Sequence, residues 1–150
     1  MSQGTILLVE DNDDDIDLTL RAFKRCNIVN RVVVATDGAQ ALDYLFKTGA
    51  YAGNDDPLPA LMILDLNLPK IPGLDVLRRV RADARTRLMP AVVLTTSKEE
   101  QDVIDSYALG ANAYTRKPVA FEEFLLATAR LGMFWMMVNI PPPEGVAPSA

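Results

Sequence analysis

The chain has 150 residues, 20 of them acidic and 15 basic, for a net charge of −5 at neutral pH. One ordinary domain of this length buries about 68–70% of its unfolded surface without disulfides or a structural metal, and 49% apolar with 23% charged residues excludes wholesale disorder and collagen-like structure. The acidic balance argues against a nucleic-acid or anionic-membrane binder, and the absence of histidine removes His-dependent triads, histidine zinc sites and any histidine general base.

The hydrophobic pattern alternates between two periods along the chain. Residues 5–9 (TILLV) form a short, wholly apolar run, as a strand buried on both faces requires. Residues 12–25 follow with Ile16, Leu20 and Phe23 at helical spacing, opened by Asp and Asn caps. Residues 32–35 read as a second strand, and 37–46 as a helix with Ala41, Leu42 and Leu45 on one face; residues 47–58 read as a loop. The third strand is 61–64, and after the Pro-x-x-Pro-Gly turn at 69–73 comes a helix over 74–81. Residues 91–94 make a fourth strand and 98–109 a fourth helix, stopped by Gly110. A short fifth strand, 113–115, leads into a long helix from 121 to 138. The folded domain is expected to span 1–140, with the Pro-rich segment 141–150 a disordered tail. Five strands alternating with five helices imply βαβ units, a parallel sheet and right-handed crossovers. Such sheets place ligands beyond the carboxyl ends of their strands, where strand order reverses.

At those ends the sequence places Glu10-Asp11, Asp65, Thr95-Thr96-Ser97 and, after the fifth strand, Lys117-Pro118. Two carboxylates 4 Å apart repel by about 4 kcal/mol at an effective dielectric near 20, so three of them call for a cation. Hard oxygen ligands with room for water suit Mg²⁺. A carboxylate beside Mg²⁺ can attack phosphorus to give an acyl phosphate, with Lys117 and the Thr95 hydroxyl binding its oxygens. The added charge can then draw Thr95 and Lys117 inward, which makes the centre a switch. Taken singly, Asp11 or Asp65 reads as a helix N-cap; the convergence of all five positions on one sheet edge favours chemistry.

Val9-Glu10-Asp11-Asn12, the run from Ile63 to Pro69 (ILDLNLP), the run from Val92 to Ser97 (VVLTTS) and the run from Tyr114 to Pro118 resemble the receiver domain of two-component response regulators over almost the whole chain. The separations of 30 from Asp65 to Thr95 and 22 from Thr95 to Lys117 match that family, with 47–58 a local insertion. The resemblance implies a flavodoxin-like, doubly wound five-stranded parallel sheet in the order 2-1-3-4-5. It implies Asp65 as phosphoacceptor and Mg²⁺ held by Asp11, Asp65 and the carbonyl of Asn67, with Glu10 reaching it directly or through water. Thr95 would be the switch hydroxyl, Lys117 the phosphate counter-charge, and Tyr114 the aromatic that turns inward when Thr95 moves. It also implies a cis Lys117-Pro118 bond. Glu10 departs from the Asp of many receivers. The 47–58 insertion, the stretch Leu94-Thr95-Thr96-Ser97 and Phe134-Trp135 before the prolines further resemble single-domain receivers that partner phytochrome-type histidine kinases.

Other motifs are weaker. The run 11–15 (DNDDD) fails as a calcium loop, because its sixth position is Ile16 and its twelfth Ala22; Asp13, Asp14, Asp15 and Asp17 read as the solvated first turn of a helix. No nucleotide-binding glycine loop is present. Cys26 reads as a small buried apolar residue. The N-terminus lacks the features of a signal peptide and Arg130 breaks the most apolar stretch, so a soluble, cytoplasmic protein is expected, with no membrane partner. In the last helix Phe121, Phe124, Leu125, Leu131 and Trp135 supply a core-facing stripe. Met133, Phe134, Trp135, Met136 and Met137 leave apolar surface for an interface, read as a homodimer contact. The expected function is a signalling switch that accepts a phosphoryl group from a sensor histidine kinase, not a turnover enzyme, with output through protein contacts and no appended output domain. Two alternatives stand beside it. A metal-dependent aspartyl-phosphate phosphatase would carry an acid/base where Asn67 stands; an unphosphorylated scaffold would not need the intact Glu10, Asp11, Asp65, Thr95 and Lys117.

Overall fold

The structure, a computed structural model, describes residues 4–143. Five strands, β1 (Ile6–Val9), β2 (Val32–Ala35), β3 (Leu61–Leu64), β4 (Ala91–Thr95) and β5 (Ala113–Arg116), alternate with α1 (Asp13–Arg25), α2 (Gly38–Phe46), α3 (Gly73–Ala82), α4 (Glu100–Ala108) and α5 (Phe121–Met133). The sheet is parallel throughout in the order β2-β1-β3-β4-β5, as the resemblance implies. The order reverses beside β1, and Val9 pairs with Ala35 on one side and Leu64 on the other. The residues that follow β1 and β3 therefore emerge next to each other.

Strand alternation splits the core in two. Leu7, Val9, Met62, Leu64 and Val93 face α2 and α3 and meet Ala41, Leu42, Leu45, Val76, Leu77 and Val80. Ile6, Leu8, Ile63, Val92 and Leu94 face the other way, onto Ile16, Phe23 and Leu131 of α1 and α5. The three inner strands are apolar at every position but Thr95, the last residue of β4, because both their faces are covered. Each fully buried Leu, Val or Ile contributes about 1.5–3 kcal/mol relative to exposure. Arg81 closes the amino-end side: its guanidinium donates to the carbonyls of Gly110 (2.9 Å), Arg87 (2.9 Å) and Met89 (2.7 Å) and to Asn112 Oδ1 (3.0 Å).

The insertion 47–58 is more ordered than a plain loop. It contains a 3₁₀ turn, Gly49–Tyr51, and Asp56 accepts from the Tyr44 hydroxyl and from Arg31 Nη1, each at 2.9 Å. The last helix also differs from expectation. Regular α-helix stops at Met133, and Phe134–Val138 form a π-helical turn closed by the Asn139 N–H donating to the Phe134 carbonyl at 2.7 Å. Phe121 does not join the core stripe: it is 46% exposed beneath the Arg21 guanidinium, 6.0 Å from its ring centroid. It stands at the very start of α5, whereas Phe124, Leu125 and Leu131 are buried. Of the expected tail, Pro141–Pro143 are exposed and neither helical nor extended in a sheet; residues 144–150 lie outside the described part of the chain. No helix among the described residues is long and apolar enough to cross a membrane.

Candidate functional site

Glu10, Asp11, Asp65, Asn67, Thr95 and Lys117 all sit at the carboxyl edge of the sheet. Glu10 follows β1 directly; its N–H donates to the Ala35 carbonyl at 2.9 Å, which holds it in line with the strand. Asp65 follows β3 and is held likewise, its N–H 3.0 Å from the Val9 carbonyl. Both are buried, while Asp11 is exposed at the mouth. The loop leaving Asp65 has to turn back beneath it, and Gly73 permits this. A Cβ at Gly73 would fall 2.3 Å from the Asp65 carbonyl oxygen, closer than any side chain tolerates. The Asn67 N–H donates to Asp65 Oδ1 at 3.3 Å, which brings Asn67 to the rim beside the carboxylate.

Thr95 ends β4 and is fully buried. Its carbonyl accepts from the Lys117 N–H at 2.8 Å, and its hydroxyl from the Ser97 N–H at 3.4 Å. Lys117 follows β5 and reaches the middle of the cleft. Its Nζ lies 2.5 Å from Glu10 Oε1, 2.8 Å from Asp65 Oδ2 and 2.8 Å from Asp15 Oδ2. The Lys117-Pro118 bond is trans, as are all peptide bonds among the described residues, which corrects the cis expectation. Trans is the intrinsic preference of an X-Pro bond by about 0.5–1 kcal/mol, and the Lys117 side chain attains all three partners with it.

Burial and charge pull the three buried groups apart. Desolvation pushes Glu10 up to about 7, against the Lys117 hydrogen bond and with help from the nearby Asp65 charge. Asp65 feels the same burial, but the hydrogen bond and charge of Lys117, the Thr95 hydroxyl and the Asn67 N–H outweigh it and hold Asp65 below the usual carboxylate range. Burial works against the Lys117 charge as well, yet its three carboxylate partners raise it above an ordinary lysine. The lowered Asp65 pKa favours its charged form, the form a nucleophile needs.

One oxygen from each of Glu10, Asp11 and Asp65 lies within 4.8 Å of the others. This all-oxygen, carboxylate-rich set, open to water on the Asp11 side, fits a small hard divalent cation. Tyr114 stands apart from the carboxylates. Its hydroxyl donates to the Ser97 carbonyl at 3.3 Å, and its ring lines an open groove of about 480 Å³ with Val103, Tyr107, Thr115 and Arg116.

The expected solvated role of Asp15 is wrong: it belongs to the Lys117 cluster, whereas Asp13 and Asp14 in the same turn are exposed. The signal lay in the helix period. Asp15 precedes the buried Thr19 by four residues and Phe23 by eight, so it continues the inward stripe of α1 to its end. The proposed interface residues also divide. Met133, Phe134 and Met137 are exposed, but Trp135 and Met136 are half-buried and pack on the α1–α5 side of the core.

A profile of the response regulator receiver domain matches residues 6–129. The chain belongs to that family. The receiver is 37% identical over 137 residues to response regulator Rcp1 of Synechocystis sp., covering 91% of this chain and 92% of Rcp1. It superposes on the Mn(2+)-bound form of Rcp1 with a TM-score of 0.88 over 93% of this chain and 99% of that one, at 35% identity. The phosphorylated cyanobacterial phytochrome response regulator RcpA gives a TM-score of 0.88 at 35% identity, covering 95% of this receiver and all of RcpA. The bacteriophytochrome response regulator RtBRR is 51% identical with a TM-score of 0.74, covering 93% and 84% of the two chains. The receiver is related to the phytochrome response regulators.

Proposed function

We propose that this receiver accepts a phosphoryl group on Asp65 from the phosphohistidine of a phytochrome-type sensor kinase, in a cytoplasmic, Mg²⁺-dependent step. An Asp65 carboxylate oxygen forms the new O–P bond, the P–N bond breaks, and its electron pair returns to the donor imidazole, which takes up a proton. The observation that carries this reading is the surrounding of Asp65: buried, held at one oxygen by Lys117 Nζ at 2.8 Å and at the other by the Asn67 N–H. Glu10, Asp11, Asp65 and the Asn67 carbonyl would hold Mg²⁺, which supplies neutralising charge for the phosphoryl oxygens. A Mn(2+)-bound form of Rcp1 and the acidic cluster support a divalent ion here. Lys117 neutralises a further phosphoryl oxygen, and Thr95 hydrogen-bonds another as it moves toward the new charge. That movement frees Tyr114 to turn inward from its groove, so that phosphorylation is reported at the α4–β5 surface.

The centre is read as self-modifying rather than as a turnover enzyme. Asn67 offers no acid or base where a phosphatase would need one, so hydrolysis of the acyl phosphate is slow. Output is by contact, including contact with a second copy through Met133, Phe134 and Met137. These exposed apolar side chains lie within five residues of one another and cost less free energy when covered.

Intact mass after incubation with acetyl phosphate and Mg²⁺ tests the central step. A single added phosphoryl group is expected, absent from Asp65→Asn and absent in EDTA. An unmodified wild-type chain, or an adduct that survives Asp65→Asn, removes the proposal.

A further inference from the structure

We infer that Asp15 is a positioning residue for Lys117, the carboxylate that keeps its ammonium in the cleft when Glu10 and Asp65 give their oxygens to a divalent cation. The inference takes from the proposed function only what the cleft is for. Lys117 Nζ has three carboxylate partners at 2.5–2.8 Å. Two of them, Glu10 and Asp65, also belong to the three-carboxylate set with Asp11. Their oxygens are therefore wanted by two cations at once. Asp15 is outside that set, and its oxygen is uncontested.

Asp15 is also not occupied by its own helix. It is the third residue after the N-cap Asn12, the place from which an acid reaches back to the N-cap N–H in a capping box. Here the Asn12 N–H donates instead to Glu10 Oε2 at 3.2 Å, while Asn12 Oδ1 accepts from the Asp15 N–H at 2.9 Å. The cap is complete without the Asp15 carboxylate, which is free to point across to the β5–α5 connection. The turn is fixed from below by the buried Thr19, whose hydroxyl donates to the Asp15 carbonyl at 2.8 Å. The Asp15 side chain is only 24% exposed, so its interaction with Lys117 is less screened than that of a surface pair.

Without Asp15, the Lys117 charge can be balanced only by Glu10 and Asp65. A metal would then have to take those oxygens from an ammonium with nowhere else to go. Removing Asp15 should weaken metal binding through Lys117 and not directly. Mg²⁺ titration by calorimetry of wild type, Asp15→Asn, Lys117→Met and the double variant separates the two routes. With Lys117 present, Asp15→Asn is expected to weaken Mg²⁺ about tenfold, the lower end for loss of an outer-sphere partner. In the Lys117→Met background the same change should cost roughly twofold or less, and Asp15→Glu should restore most of the affinity. Equal weakening in both backgrounds, or none with Lys117 present, overturns the inference.

Circular dichroism checks that each variant folds. Should the Lys117 variants not fold, the ¹⁵N resonance of the Lys117 ammonium decides. It is expected to remain observable in Mg²⁺-loaded wild type and to be lost to solvent exchange in Asp15→Asn; persistence in the variant overturns the inference. Asp65 that resists phosphorylation while this coupling holds would remove the phosphoacceptor reading alone. A phosphorylated Asp65 without the coupling would remove only the role of Asp15.

Discussion

At Lys117 burial alone would favour the neutral amine, yet three carboxylates within 2.8 Å keep the ammonium charged and raise its pKa. Burial pushes Glu10 up to about 7 against the pull of Lys117, whereas at Asp65 the Lys117 contacts, the Thr95 hydroxyl and the Asn67 N–H outweigh burial and lower it. Removing one member of a buried ion pair costs about 3–5 kcal/mol, because the partners stay buried without compensation. Lys117→Met in EDTA is expected to lose stability on that scale and to regain more of it on adding Mg²⁺ than wild type gains. The carboxylates it leaves behind bind the ion without a competing ammonium, and ligand binding stabilises in proportion to affinity. Urea midpoints with and without Mg²⁺ measure this; equal gains in the two proteins would contradict it. Glu10, Asp11, Asp65, Thr95 and Lys117 were legible because each stands at a strand end, where an apolar run gives way to polar chemistry. Asp15 was not: a carboxylate in a helix's first turn is explained by the helix dipole, and only the path of β5 brings Lys117 to it.

The insertion between α2 and β3 shows what a stretch of turn residues conceals. Tyr44, from the last turns of α2, is buried and donates to Asp56, while Arg31 at the head of β2 pairs with the same carboxylate. The Tyr44 ring also meets Tyr51 edge-to-face at 5.1 Å and Lys47 Nζ at 4.6 Å. Burial first, then the Asp56 hydrogen bond and charge, push the Tyr44 hydroxyl up to about 12. A phenol whose folded pKa is raised binds its proton longer folded than unfolded. Its stabilising contribution is therefore fully present below about pH 10 and is lost as pH rises toward 12. Tyr44→Phe is expected to flatten this part of the stability–pH curve, leaving the share due to Lys117. Thermal midpoints of both proteins between pH 9 and pH 12, roughly the span of the two tyrosine pKa values, provide the check, and parallel curves would contradict it. The flanking elements were readable from period and caps: Asp37 accepts from the Gln40 N–H at 2.8 Å at the start of α2, and Gly110, at φ +101°, ends the turn after α4.

Across the whole molecule, the two sides of the sheet are closed differently. The α2–α3 side is sealed by fully buried Val76, Leu77 and Val80. On the other side Gly132 lets α5 approach α1 so closely that a Cβ there would lie 2.5 Å from Ile28 and 2.7 Å from Phe23. The π turn then directs Trp135 and Met136 onto the core and leaves Phe134 at 47% and Met137 at 56% exposure. Phe134→Asp and Met137→Asp are expected to weaken self-association in sedimentation velocity while leaving the thermal midpoint nearly unchanged. Trp135→Ala should do the reverse, lowering stability by roughly 1–3 kcal/mol, less than the loss for a fully buried tryptophan. A wild type that stays monomeric at high concentration, with and without phosphorylation, excludes this surface as a dimer contact.

Composition and period by themselves determined the class of the fold, the alternation of its elements, and the edge where the acids, the hydroxyl and the lysine gather. These follow from chain-local causes: apolar runs that need two covered faces, helical stripes, caps, and the rule that parallel strands end on one side. The tertiary structure alone decided which acid Lys117 serves besides Glu10 and Asp65, which residues of the last turn face inward, and how the insertion is tied down. Each of those depends on a contact between segments far apart in the chain, 102 residues for Lys117 and Asp15. A local pattern limits which face a residue lies on; what it meets there is set by the packing of the other elements.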